Sequence, residues 1–335
     1  MTDANGFRPA VWLPGAHLQT AWGPLSRPRR LVAFRREVLP TPDGDELVLD
    51  HLDGARADVR AIVLHGLEGS SYSVYVQGVL RLLSERGIPA TVMNYRSCAR
   101  EPERLRRMIP NRTPRLYHSG ETEDLGLLVA ELRRRAPGTR LGAIGVSIGG
   151  NILLKWLGEH PERRDLAAGV AISAPFDLDA GGRHLERGLG PLYVGRFLRT
   201  LRAKAVEVAR RHALPRERLD VAAAIRARSF REFDDAATGP LHGMRGADEY
   251  YATCSSIHYL GRITTPALCI SAADDPFLPA GVLERVRATA SPALELCATS
   301  IGGHAGFVSG VPWACRYWAE ERAVEWLAGR LMVDD

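Results

Sequence analysis

The chain has 335 residues, 45% of them hydrophobic and 25% charged, the range of a globular protein able to bury a substantial core, so one large domain with an insertion fits the length. Met1 to Trp12 lack the charged start and apolar centre of a secretory signal, and no later stretch is apolar over a bilayer's width, which excludes a membrane-spanning class and makes a cytoplasmic location the expectation. The formal charge of +5 is carried almost wholly by arginine, with lysine only at 155 and 204; without a nucleic-acid-binding motif beside it, this bias reads as composition, and no nucleic-acid partner is expected.

In chain order, residues 36–52 read as an entry hairpin around the turn Pro42-Asp43-Gly44. The short apolar runs 60–64 (RAIVL), 89–94 (PATVMN), 141–146 (LGAIGV) and 167–173 (AAGVAIS) have the length of buried parallel strands. Amphipathic stretches 74–86 and 121–135 lie between them, the first ending at Gly87 and the second running into Pro137-Gly138, as helix ends do. The arginine runs 104–107 and 133–135 are patterned as solvated helix surface. This alternation is that of βαβ units, so the fold class is α/β, with a mostly parallel central sheet flanked by helices.

The rhythm breaks after Pro175. Residues 176–262 carry helical stretches such as 194–212 and 221–230 and no clear strand, before 266–271 (PALCIS) resumes the sheet. They read as a helical cap inserted within a single domain, 1–335. A last strand at 293–298 and a closing helix at 313–331 complete the core. Five scattered cysteines, at 98, 254, 269, 297 and 315, form neither a C-x-x-C pair nor a zinc-ligand spacing and read as reduced, mostly buried thiols.

Gly145-Val146-Ser147-Ile148-Gly149 matches G-x-S-x-G between a strand and a helix, the setting in which a serine is exposed on a sharp turn above the sheet. A serine hydroxyl attacks a carbonyl only when a histidine removes its proton, and that imidazole needs a carboxylate to hold its tautomer. Asp275, in the loop after PALCIS and four residues before Pro279, is the acid; Asp274 is left to cap the turn. His304, brought inward by Gly302 and Gly303, is the base. Ile148 offers one backbone N–H to an oxyanion, and Leu67, in His65-Gly66-Leu67-Glu68-Gly69-Ser70, offers the second. His65 reads as a structural hydrogen-bonder under that loop, and His51, His160, His184 and His212 as surface or helix positions. No carboxylate or Cys/His cluster has metal-ligand spacing and no G-x-G-x-x-G follows a strand, so neither metal nor cofactor is expected.

Several further segments carry a resemblance: Trp12 to Thr20, Asn94-Tyr95-Arg96-Ser97-Cys98, Tyr117-His118-Ser119-Gly120-Glu121-Thr122, Phe233-Asp234-Asp235 with Leu241-His242-Gly243, Asp274-Asp275-Pro276-Phe277 and Gly302-Gly303-His304. Together with the serine and oxyanion motifs, and nearly end to end, the chain resembles the YheT-like branch of the α/β-hydrolases. That branch includes eukaryotic abhydrolase-domain lipases and yeast medium-chain ethyl-ester synthase/esterases. The resemblance implies an α/β-hydrolase fold and a Ser-Asp-His esterase, and carries the triad onto Ser147, Asp275 and His304. Two departures, Gly15-Ala16 where the family has Asn-Gly and Ser97-Cys98-Ala99-Arg100 where it has Gly-Cys-Ser-Gly, lie outside the triad.

The expected activity is hydrolysis of short- to medium-chain acyl esters through an acyl-enzyme, the partner being a small-molecule ester. Alternatives are an alcohol O-acyltransferase or a lipase using the same triad, and, from another class, a hydrolase-like binding module. Arg183, Arg187, Arg196, Arg199 and Arg202 raise peripheral docking on anionic lipid, a reading not favoured over a solvated face. The stripe Leu192, Val194, Phe197, Leu198 and Leu201 fits either an acyl-chain tunnel or a cap helix packed on the core. Oligomeric state is left open.

Overall fold

Strands rich in Val, Ile and Ala that present no polar face must be covered on both sides, and that requirement organises the molecule. The structure, a computed structural model, describes residues 6–332; residues 1–5, and with them the start of the Met1 to Trp12 stretch, and 333–335 lie outside the described residues. A first helix, α1 (Ala16–Ser26), precedes the hairpin of β1 (Arg35–Pro40) and β2 (Glu46–Leu52). Then come β3 (Val59–Leu64), α2 (Val74–Glu85), β4 (Ala90–Asn94), a small pair β5 (Arg100–Glu101) and β6 (Arg104–Met108), α3 (Thr122–Arg135), β7 (Arg140–Val146), α4 (Ile148–Glu159) and β8 (Leu166–Ile172).

Between β8 and the next strand the described chain has only helical regular elements, joined by short loops. It forms α5 (Leu178–His184), α6 (Gly190–Arg211), α7 (Val221–Arg226), α8 (Phe230–Phe233), a π-helical turn Asp234–Thr238, α9 (Gly239–Leu241), α10 (Ala247–Cys254) and two 3₁₀ turns. The chain returns with β9 (Ala267–Ala272), α11 (Val282–Thr289), β10 (Leu294–Thr299), a hairpin of β11 (Val308–Val311) and β12 (Ala314–Tyr317), and α12 (Trp318–Leu331).

The main sheet has the order β1-β2-β4-β3-β7-β8-β9-β10, antiparallel from β1 to β4 and parallel from β4 onward. Successive strand residues split between two cores. Ile62 and Leu64 pack with α3, α4 and α11, whereas Ala61 and Val63 pack with α2 and α12. Each fully buried Val, Leu or Ile in these layers contributes roughly 1.5–3 kcal/mol. The strand order reverses around β3, which pairs with β4 on one side and β7 on the other, so the loops after β3 and β7 lie together at the sheet's carboxyl edge. Ligands bind there in open α/β sheets.

Buried charge ties the edge strands to this core. Arg96, after β4, donates to Asp43 and Asp45 of the β1–β2 turn and, through Nε and Nη2, to both carboxylate oxygens of Asp124 on α3. Bidentate pairs of this kind fix orientation as well as charge.

The structure corrects the sequence at four points. Residues 104–107 are strand β6, not helix, because Pro102 and Pro110 leave too little chain between them for stable helical turns and the segment pairs back on β5. The closing helix starts at Trp318 rather than 313, since Ala314–Tyr317 pairs with β11 across the Pro312 turn. The helix read at 221–230 breaks at Ala227, and Ser229 caps a new one by accepting from the Glu232 N–H. His51 is buried in β2, which is covered on both faces along nearly its whole length, and its ring is satisfied there by Thr91 and Glu37.

Other expectations meet their geometry. Arg133 to Arg135 end α3, where Arg134 and Arg135 pair with Glu131 on the surface and Arg133 donates to the carbonyls of Asp165 and Thr139. Cys98, Cys254, Cys269 and Cys297 are buried, as expected of thiols in a packed core. Among the described residues, no helix is long and apolar enough to cross a membrane. Of the five arginines considered for lipid docking, Arg183 pairs with Asp179 and Arg202 donates to the Ala227 carbonyl.

Candidate active site

The turn from β7 into α4 forces Ser147 to φ 57° and ψ −123°, a strained conformation for a residue bearing Cβ. Its two flanking glycines are sterically required. A Cβ on Gly145 would sit 2.2 Å from the Gly149 carbonyl oxygen, and one on Gly149 would sit 2.5 Å from the Leu64 carbonyl oxygen. The strain lifts the Ser147 hydroxyl clear of the sheet toward the loop after β10.

That loop delivers His304, whose Nε2 is 3.0 Å from Ser147 Oγ. The other ring nitrogen, Nδ1, lies 2.9 Å from Oδ2 and 3.1 Å from Oδ1 of Asp275, a residue only 3% exposed. Asp275 is itself held by the Phe277 N–H at 2.8 Å, and the Phe277 ring stacks on the imidazole at 4.1 Å. The three residues chosen from sequence therefore form one continuous hydrogen-bonded chain. Asp274 has a separate task, accepting from the Gly303 N–H at 2.9 Å to brace the histidine loop. Sequence reasoning missed the other brace: Thr20 Oγ1 on α1 accepts from the His304 N–H at 2.9 Å, and Gly303 and Gly306 pack against the α1 backbone with no room for a Cβ. The Trp12 to Thr20 motif was its only trace.

The backbone N–H groups of Leu67 and Ile148 have no hydrogen-bond partner among the described residues. Ile148 opens α4, where the first-turn donors are orphaned and the helix dipole favours negative charge. Leu67 is framed by neighbours that are already satisfied: Gly66 N–H donates to Tyr75 Oη and Glu68 N–H to Tyr117 Oη, each at 2.8 Å.

His65 lies beneath this loop, wholly buried, with Nδ1 against the Gly66 carbonyl at 2.8 Å and Nε2 accepting from the Tyr95 N–H at 3.1 Å. Burial lowers its pKa to about 3. The unfolded chain takes up this proton below pH 6.5, while the folded protein refuses it until about pH 3. Stability from this group is thus lost as pH falls through that window, at about 1.4 kcal/mol per pH unit. Calorimetry between pH 6.5 and 4.5 should show the His65→Asn protein losing stability with a slope shallower than the parent's by that amount. Equal slopes would mean that the folded imidazole is already charged.

The Ser147 hydroxyl opens into a mostly apolar pocket lined by Leu67, Ile148, Leu178, Leu185, Phe197, Leu201, Phe230, Tyr250, Tyr251 and Phe277, among others. Of the apolar stripe on α6, Phe197 and Leu201 face this pocket, Val194 and Leu198 pack within the helical segment, and Leu192 is 72% exposed. Asp234 and Thr238 of the π-helical turn also line it, and burial raises the Asp234 carboxyl to about 7 while Tyr251 donates to it at 2.8 Å.

One cluster has metal-ligand residue types. Side-chain atoms of His118, Glu121 and His242 lie within 4.8 Å of one another. His118 Nδ1, however, accepts from the Gly120 N–H, which leaves the ring proton on Nε2 facing Glu121. In this arrangement the ring offers a proton donor rather than a lone pair.

The description "alpha/beta hydrolase fold" matches residues 62–311. YheT of Escherichia coli (strain K12), whose name calls it an esterase, is 36% identical, the alignment covering 97% of this chain and 96% of that protein. The chain belongs to the α/β-hydrolase family, in its YheT-like branch. Phospholipase ABHD3 of Mus musculus is 32% identical over 93% of this chain and 75% of that protein. Monoacylglycerol lipase of Saccharomyces cerevisiae is 30% identical over 82% and 59%. In fold, this YheT-like hydrolase is similar to the Pyrococcus furiosus esterase Pf2001, with a TM-score of 0.58 and 20% identity, 90% of this chain and 92% of that one being covered. It is an esterase/lipase-type hydrolase.

Proposed function

We propose that this hydrolase is a serine carboxylesterase acting on short- to medium-chain acyl esters. The observation that carries the reading is the unbroken chain from Ser147 Oγ through His304 to Asp275 at the mouth of an apolar pocket. His304 takes the Ser147 proton as the hydroxyl attacks the ester carbonyl, and Asp275 holds the imidazole's tautomer and stabilises its charge. The Leu67 and Ile148 N–H groups receive the oxyanion. The alcohol leaves with the proton from His304, and water, activated by the same imidazole, releases the acid. No cofactor enters this sequence. In this reading residues 176–262 are a cap over the pocket within one domain, 1–335, and the four buried thiols suit a reducing cytoplasm.

A fluorophosphonate probe, followed by mass spectrometry, should place its adduct on Ser147, and a nitrophenyl-ester series should peak at a defined acyl length. An adduct elsewhere, or binding of ester without labelling or turnover, would leave a hydrolase-like binding module. Ethanol or glycerol added during turnover separates water from alcohol as acyl acceptor: ester products that outpace free acid at low alcohol would make the protein an acyltransferase.

A further inference from the structure

Of the 44 basic residues in the chain only two are lysine, and both are buried, Lys155 at 7% exposure and Lys204 at 4%. In a chain that otherwise uses arginine for every positive charge, a buried lysine marks a place where a compact point charge fits and a planar guanidinium does not. Lys204 sits on α6, in the helical segment, yet its ammonium reaches the loop after β3. Its Nζ is 2.5 Å from Glu68 Oε1 and 3.1 Å from Cys98 Sγ, and lies 4.8 Å from the centre of the Tyr117 ring. Among the described residues this is the only ion pair that Glu68 makes.

Glu68 follows Leu67 directly. Its backbone is left-handed, at φ 57°, a conformation that persists only when its surroundings hold it. Tyr117 holds it at two points, accepting from the Glu68 N–H and donating its hydroxyl to the Glu68 carboxylate, both at 2.8 Å. Lys204 neutralises that carboxylate. Without the ammonium the buried carboxylate would keep the Tyr117 hydroxyl but lose its ion pair, the nearby Arg100 guanidinium being bonded to the Glu68 carbonyl instead, an arrangement that burial strongly disfavours. The carboxylate would then turn toward water and release the left-handed turn beside Leu67.

We propose that Lys204 is a positioning residue for the oxyanion site: by pairing with Glu68 it couples the seating of α6 to the placement of the Leu67 N–H. This rests on the role proposed above for Leu67, and it gives the helical segment a part in catalysis beyond covering the pocket.

The test uses Lys204→Met, Lys204→Arg and Glu68→Gln proteins in the full chain. Relative to labelled Ser147, Lys204→Met should lower kcat by up to about 10²-fold, the scale of one lost oxyanion donor, with KM nearly unchanged. Inhibition by a trifluoromethyl ketone, which mimics the tetrahedral oxyanion, should weaken in parallel. Hydrogen exchange across residues 65–70 should rise, and Lys204→Arg should not restore it. A purely structural role would reduce the fraction of labelled protein while leaving kcat per label and ketone affinity as in the parent, and that result would overturn the proposal. Should Lys204→Met fail to fold, Glu68→Gln, which keeps the bond to Tyr117, reads the same link: unchanged kcat and unchanged exchange at 65–70 would overturn it too. The exchange measurement needs no turnover, so a parent that never labels at Ser147 would sink the esterase reading while the Lys204 link is still judged.

Discussion

Replacing Ser147 with alanine should lower ester turnover by about 10⁵- to 10⁶-fold, the scale seen when a serine nucleophile is deleted from an intact site. Folding should be little changed. Alanine carries the same Cβ into the same strained turn, so the backbone cost already met at φ 57° is not increased, and only the hydroxyl's bond to His304 is removed. Its melting temperature should match the parent's to within a shift equivalent to about 1 kcal/mol. What survives is binding and oxyanion stabilisation, so the variant should still bind a slowly turned-over ester with the parent's affinity. Turnover within tenfold of the parent would place the nucleophile elsewhere.

The second large effect separates two adjacent acids. Asp275→Asn should cost about 10⁴-fold in kcat, because an amide donates as well as accepts and can hold the imidazole with its proton on the wrong nitrogen. Asp274→Asn should change kcat by only a small factor. The acid at 274 acts on the site as an acceptor for backbone N–H groups of the histidine loop, Gly303 among them, and an asparagine oxygen in the same place keeps the Gly303 bond. Steady-state kinetics of the two proteins, each normalised to fluorophosphonate-reactive enzyme, checks the contrast. Comparable losses would show that the histidine loop takes its orientation from both carboxyls.

The contrast also indicates which parts of the site a sequence can disclose. Ser147 was legible because its chemistry coincides with a local pattern, glycines two residues to either side between a strand and a helix. Asp275 and His304 follow from chain order and from loops at strand ends. The parallel strands were legible because burial on both faces leaves an apolar run. What stayed hidden depends on partners distant in sequence. Lys204 reads as one more charge on an amphipathic helix, since its partner Glu68 is 136 residues away. Thr20 is an ordinary helical threonine until His304 arrives. Periodicity reports which face of an element is buried, not what it is buried against. The errors at 104–107 and 313–317 have a related cause: short antiparallel pairs need few apolar residues and leave a pattern too brief to distinguish from a helical turn.

The brace between Thr20 and His304 also bears on how the protein acquires its activity. The two residues are 284 positions apart, and Gln19, next to Thr20, holds Val308 across 289. Closing so long a loop is entropically costly and is achieved only once the intervening sheet has drawn the ends together. The seat of the imidazole thus depends on contacts that span most of the described chain. The serine's placement is local, on its own turn, whereas that of the group bonded to it is set by a partner 284 positions away.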